Sequence, residues 1–278
     1  MRGIACAVVL TGCISIPEFH GNDDASNGSA DAPIGPLAAR FIANAYREGG
    51  NDGVANGTLM MSKMGFGIMS AGVNEGDLVV FIANVDNGAQ GFWHLPAGFN
   101  QVVQNVYGQD GQDYVIAWKI ATAAEPSYYV GTYTSAAQTS AAATITLISV
   151  TGYNPQLPIS VWLPTDHYAP TDPADTSSAG ITTTADNSML IFAAGADWTP
   201  NGGSNTYVLP ADFQLLTSVG DRNTHWDWTS QVVAYKVQPV AGPTGALTSS
   251  LTGRSFPDGA TPIPGGGWNV VFAINPRS

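Results

Sequence analysis

The sequence predicts an all-β fold: a two-sheet antiparallel sandwich of jelly-roll type, built by internal duplication. Three observations predict it. Short β-rich runs alternate with turns rich in Gly, Asn, Asp and Pro. No segment sustains a 3.6-residue apolar period over three turns, so almost no helix is expected. A set of sequence elements recurs in one order at nearly constant spacing.

The runs follow in chain order. Leu78-Val-Val-Phe-Ile-Ala83 is continuously apolar, as a buried strand is, and Tyr114–Ile120 is another. Ala143–Val150 alternates like a half-buried strand. Met189–Ala193, Gln231–Val237 and Trp268–Ile274 read the same way. The recurrence pairs Leu78–Ile82 with Met189–Ala193, and Leu95-Pro-Ala-Gly-Phe99 with Leu209-Pro-Ala-Asp-Phe213. It also pairs Val115–Ile120 with Val232–Val237, and Glu125-Pro126 with Gly242-Pro243. The offsets are 111, 114, 117 and 117. Two halves result, about 37–155 and 156–278. Pro158-Ile-Ser-Val-Trp162, at their junction, reads as one more strand, which favours one domain over two barrels side by side. A unit of four to five strands exposes one apolar sheet face, and packing two such faces about 10 Å apart buries both.

Composition bounds the function. Apolar residues make 44% of the chain, and a chain of 278 residues buries roughly 70–75% of its unfolded surface, so it folds without disulfides. Charged residues are only 11%, against about 25% in an ordinary domain. The formal charge of −12 disfavours nucleic acid, which needs a basic face, and adsorption onto anionic lipid. The two cysteines, Cys6 and Cys13, lie close together near the start and offer no disulfide framework.

The first ten residues carry one arginine and then a short apolar run, too short to span a bilayer. This is the shape of a signal peptide. The run ends Leu10-Thr11-Gly12-Cys13, which resembles the lipobox of bacterial lipoproteins. The resemblance implies cleavage before Cys13 and lipid on its sulfur. Residues 1–12 are then signal peptide, and 13–36 a lipid-anchored flexible tether, polar from His20 to Pro36. Residues 37–278 form the duplicated sandwich. The expected location is the bacterial cell envelope, at the surface or outside, with the membrane touched only through the anchor.

The folded part also carries a resemblance. Gly76-Asp77 before an aliphatic strand, then Leu-Pro-Ala-Gly-Phe, then Ile-Ala-Trp-Lys-Ile-Ala, then Ala124-Glu-Pro-Ser-Tyr128 follow in order. This looks like uncharacterised β-sandwich modules of secreted bacterial proteins and of phage tail or virion surface proteins, over about Phe41–Pro276. Its motifs are turns and strand starts. The resemblance therefore implies a location and a class of role, and supplies no active site.

A search for chemistry returns little. The four histidines, His20, His94, His167 and His225, have no zinc spacing. Gly253-Arg-Ser-Phe-Pro does not complete a nucleophile elbow, and Pro264-Gly-Gly-Gly267 lacks the Lys-Ser/Thr of a phosphate loop. No cofactor is expected. Asp166, Asp172 and Asp175 are weak calcium candidates in one Pro-rich stretch, which reads equally as a solvated connection with turn-forming Asp.

The tryptophans say more. Trp118 and Trp268 read as core. Trp226 and Trp228 share one face of an extended chain, with His225 and Asp227 on the other. The matching stretch of the first half, Gly108–Asp113, has no aromatic residue, so the duplication does not require them. An aromatic pair beside Asp and Asn suits sugar rings; the other reading is packing at the sandwich end. Trp93 and His94, before the first Leu-Pro-Ala, form either a second rim patch or turn packing, as does Tyr207 before the second.

The leading reading is a non-catalytic binding or structural module of adhesion type, at a cell surface or outside the cell. Its partner would be a glycan, a surface protein or another copy of itself. The alternatives are a phage virion component of the tail or head surface, and a secreted polysaccharide hydrolase. The last would need two acids across a cleft, or a Ser-His pair in reach.

Overall fold

In the computed structural model, the residues described are 35–47, 58–62, 72–86, 91–105, 112–135, 142–167, 176–196, 206–220, 229–252 and 267–277. The first half contributes β1 (Ala38–Arg47), β2 (Thr58–Ser62), β3 (Leu78–Asp86), β4 (Gly91–His94), β5 (Asn100–Asn105), β6 (Gln112–Ile120), β7 (Tyr128–Ser135) and β8 (Ala142–Thr151). The second contributes β9 (Ile159–His167), β10 (Ser188–Ala196), β11 (Thr206–Val208), β12 (Gln214–Gly220), β13 (Ser230–Gln238), β14 (Ser250–Thr252) and β15 (Gly267–Ile274). The described residues contain no helix. Each apolar run of the sequence forms a strand, and Pro158–Trp162 leads into β9.

Two five-stranded antiparallel sheets carry the fold, ordered β1-β8-β3-β6-β5 and β9-β15-β10-β13-β12. The two orders are the same under the sequence duplication. Beside the first lies a small sheet, β2-β7-β4. Beside the second lies β11-β14, with residues 176–182 bridged along the same chain through Ser178 to Leu247 and Thr182 to Pro243. Each half is thus a jelly roll in its own right.

The period of two places the layers. Leu78, Val80 and Ile82 of β3 meet Met189, Ile191 and Ala193 of β10 in a central core between the large sheets. The intervening Val79, Phe81 and Ala83 pack under the first small sheet with Tyr129 and Tyr133. Leu190, Phe192 and Ala194 do the same in the second half with Phe213 and Leu247. The expectation of two sheets each with one covered face needs this correction: both large sheets are buried on both faces, in four layers. The covering strands are short and rich in Gly, Thr, Ser and Tyr, so no apolar run marks them.

The turns repeat as the strands do. Phe99 N donates to Pro96 O (3.2 Å), and Phe213 N to Pro210 O (3.1 Å). The third residue of each turn has positive φ, 81° at Gly98 and 66° at Asp212, which marks a type II turn. Glycine takes that conformation freely, and Asp tolerates it. Each turn delivers its phenylalanine edge-on to a ring in the large sheet: Phe99 on Phe81 (5.8 Å) and Phe213 on Phe192 (6.1 Å).

All four edge strands of the large sheets are irregular. The register breaks at Phe41/Ala43 in β1, Gln101/Val103 in β5 and Leu215/Thr217 in β12, and where β9 meets β15. β9 also carries Pro164, which has no N–H to donate. Such features hinder edge-to-edge pairing with another chain.

Candidate functional site

The molecule has two unlike poles. At one, the connections 95–99, 121–127, 152–158 and 209–213 lie among the described residues, residues 63–71 of the β2–β3 connection lie outside them, and both ends of the described chain are found there. Arg277 N donates to Gly152 O, and a Cβ added to Gly152 would sit 2.4 Å from Gly35 O. Asp77, buried at this pole, accepts from Arg40 Nη2 (2.6 Å), Ser149 Oγ (2.7 Å) and Asn74 N (3.0 Å). Tyr153 donates to Gly76 O (2.8 Å); burial, then the Asp77 charge, raises its phenol to about 12.

Glu125 organises another turn at this pole. It accepts from Lys119 Nζ, Thr122 N and Tyr129 OH at 2.8, 2.8 and 2.5 Å. Burial alone would raise its carboxyl. The hydrogen bonds from Lys119, Thr122 and Tyr129 outweigh that and hold it at about 2. Burial, then the bond to Glu125, raises the Tyr129 phenol in turn.

At the other pole, strands of both halves end together. From it leave the connections 48–57, 87–90, 106–111, 136–141, 168–175, 197–205, 221–228 and 253–266. His225, Trp226, Asp227 and Trp228 fall in one of these, between β12 and β13, outside the described residues. Asp172 and Asp175 fall in another, after β9, and are likewise outside them. Asp166 is on β9 at this pole, with its backbone opposite Trp268. β9 and β12 are the two edges of one sheet, so the acidic and aromatic connections leave from strands roughly 14–19 Å apart. Cys13 and the expected signal peptide, residues 1–12, also lie outside the described residues.

Trp93 belongs to neither rim. It is 3% exposed, packed against Phe81 and Tyr133 (5.3 Å), and its indole N–H donates to Asp113 O (3.3 Å). The physical reason is the pleat: in Gly91-Phe92-Trp93-His94, Trp93 faces the large sheet while Phe92 and His94 face solvent. Phe92 is 61% exposed. Of the seven tryptophans, Trp268 is fully buried and Trp118 half-buried against the central core, both as the sequence suggests.

Beneath the connection-bearing pole the central layer turns polar. Asn84 Nδ2 donates to Gln112 Oε1 (2.6 Å) and Thr229 Oγ1 (2.7 Å), and Gln112 Nε2 donates to Thr229 Oγ1 (2.9 Å). Thr144 Oγ1 donates to Asn84 Oδ1. The Trp268 indole N–H donates to Gln112 Oε1 (3.0 Å), and its ring stacks on Tyr114 at 4.5 Å and 15°. Along the β1/β12 side, Asn44 Nδ2 donates to Thr217 Oγ1 (2.6 Å), and Thr146 Oγ1 to Asn44 Oδ1 (2.8 Å). The groups are amides, hydroxyls and an indole. They are suited to positioning neutral polar surface, and their own chemistry is hydrogen bonding. Sequence reading passed over this seam; its signal was the break from apolar to Asn84 in β3 and Gln112 in β6.

Among the described residues, no group of three or more His, Cys, Asp or Glu stands where it would hold a metal ion. No family model, curated protein or solved structure matches the chain.

Proposed function

We propose that this protein is a non-catalytic binding or structural module of adhesion type, held outside a bacterial cell by the tether and the lipid on Cys13. It meets its partner through the connection-bearing pole. One observation carries this reading: connections from both halves leave from one pole, while the chain enters and ends at the other. A tether that enters at Gly35 directs the opposite pole outward. The partner is a glycan or a surface protein, met through Trp226 and Trp228 with His225 and Asp227. The low charge suits wet polar contacts, and the net charge of −12 keeps nucleic acid out of the proposal.

The test has two parts. Intact mass of the protein from its native source should begin at a lipidated Cys13. Binding to an array of bacterial and host glycans should be lost in the Trp226→Ala/Trp228→Ala variant, with the melting temperature kept. A full-length unlipidated mass, or binding unchanged by the double substitution, refutes the reading.

A second reading, a virion component, draws on the jelly-roll order of each half, an architecture found in capsid and lectin domains. Its support is an analogy of fold. Full-length unlipidated protein co-purifying with particles would establish it.

A further inference from the structure

The two halves face each other through equivalent surfaces, yet the residues at equivalent places near the connection-bearing pole are not alike. The register that aligns β3 with β10 sets Asn84 against Gly195, and aligning β6 with β13 sets Gln112 against Thr229 and Tyr114 against Gln231. The third strand, β8 against β15, sets Thr144 against Trp268. Four pairs differ in size or in hydrogen-bonding capacity, whereas the pairs farther from this pole, such as Leu78 with Met189, Val80 with Ile191 and Ile116 with Val233, are apolar in both halves.

The differences interlock across the layer. The indole of Trp268, on the second half, lies flat on Tyr114 of the first and bonds to Gln112 of the first. It fits because its own neighbour is Gly195: a Cβ there would stand 2.3 Å from Nε1, 2.6 Å from Cε2 and 2.9 Å from Cζ2. Those distances are inside van der Waals contact. On the first half, Asn84 fills the place of Gly195, and its amide reaches across to Thr229.

Like against like loses these fits. Two first halves would put Tyr114 over Thr144, with an indole-sized gap. Two second halves would leave both Trp268 N–H groups without Gln112, each ring over Gln231. Both outcomes cost packing and hydrogen bonds together.

From this we infer that the central interface is keyed: the first half of the chain accepts the second, and neither accepts its own kind from another copy. The key makes the connection-bearing pole a fixed composite of both halves. It also bars, by a route separate from the irregular edges, assembly of copies through their central sheets.

Full-length variants test it by thermal melting and by mass in solution. Converting the second half to the first half's residues (G195N/T229Q/Q231Y/W268T) should lower Tm by roughly 5–10 °C. Adding the reciprocal changes N84G/Q112T/Y114Q/T144W inverts the key about its axis and should recover more than half of that loss, as a monomer. A milder variant, Y114W/W268Y, keeps composition and volume but moves the indole away from Gly195; it should melt clearly below the wild type. An inverted key no more stable than the half-converted one overturns the inference. So does a Y114W/W268Y variant with the wild-type Tm, which also decides the case if the larger variants do not fold.

Discussion

Gly195→Ala sets two physical arguments against each other, and the structure says which wins. Gly195 is inside β10 with no positive φ, so intrinsic preference favours alanine: a glycine within a strand is destabilising by roughly 0.5–1 kcal/mol relative to Ala. Against that stands the indole of Trp268. The new methyl would lie 2.3 Å from Nε1, and the ring has no free direction. Tyr114 holds its face at 4.5 Å, and Gln112 holds its N–H at 3.0 Å. Trp268 is 1% exposed, so displacement compresses other core residues. Overpacking of this kind costs about 1–3 kcal/mol, and losing the indole bond adds about 1 kcal/mol. The net expectation is a loss of roughly 2 kcal/mol, or about 4–8 °C in Tm for a domain of this size. Urea and thermal unfolding followed by tryptophan fluorescence measure it. Gly72→Ala is the control: nothing lies within 4 Å of its added Cβ, so it should melt as the wild type or slightly higher. A Gly195→Ala variant that melts at or above the wild type would show that the indole is not held as described, and would sink the packing argument with it.

Other consequences are as direct. Glu125 has a folded pKa of about 2 against an ordinary 4.5, so its contribution is fully present above pH 4.5 and is lost as pH falls toward 2. Screening at the turn reduces the effect to roughly 1–2 kcal/mol, and Glu125→Gln should flatten the stability–pH curve in that window. Trp93→Ala should cost about 3–5 kcal/mol as a core truncation, while Trp93→Phe should leave glycan binding unchanged; lost binding in a folded Trp93→Phe variant would return that residue to the rim. Gly98→Ala, at φ 81°, should destabilise by about 1–2 kcal/mol in chemical denaturation, because the turn needs the left-handed conformation. An unchanged denaturation midpoint would contradict the type II turn.

The readable part of this fold was local or periodic. Apolar runs identified β3, β6, β10, β13 and β15, because strands covered on both faces are apolar over most of their length, with polar residues such as Asn84, Gln231 and Asn269 toward one end. The duplicated Leu-Pro-Ala turn was readable because positive φ at its third residue restricts what can stand there. Nothing local marked β2, β4, β11 or β14: these strands are short, and their residues suit a turn as well as a strand.

The candidate site divides in the same way. The aromatic pair Trp226 and Trp228 stood out in the sequence because the first half has no counterpart. Trp93 looked similar by composition and is core. One place along the chain reverses which face a strand residue presents, and adjacency to a turn motif does not fix that place.

The sequence by itself determined the all-β class with its main central strands, the twofold repetition and a low-charge acidic composition, since each follows from composition, from apolar patterning or from a fixed offset. Only the tertiary structure decided what covers each face, which residues meet across the centre, and that connections of both halves leave from one pole. Those outcomes depend on pairings such as β1 with β8 and Gln112 with Trp268, separated by about a hundred residues or more, and no period or local preference encodes contact over that distance.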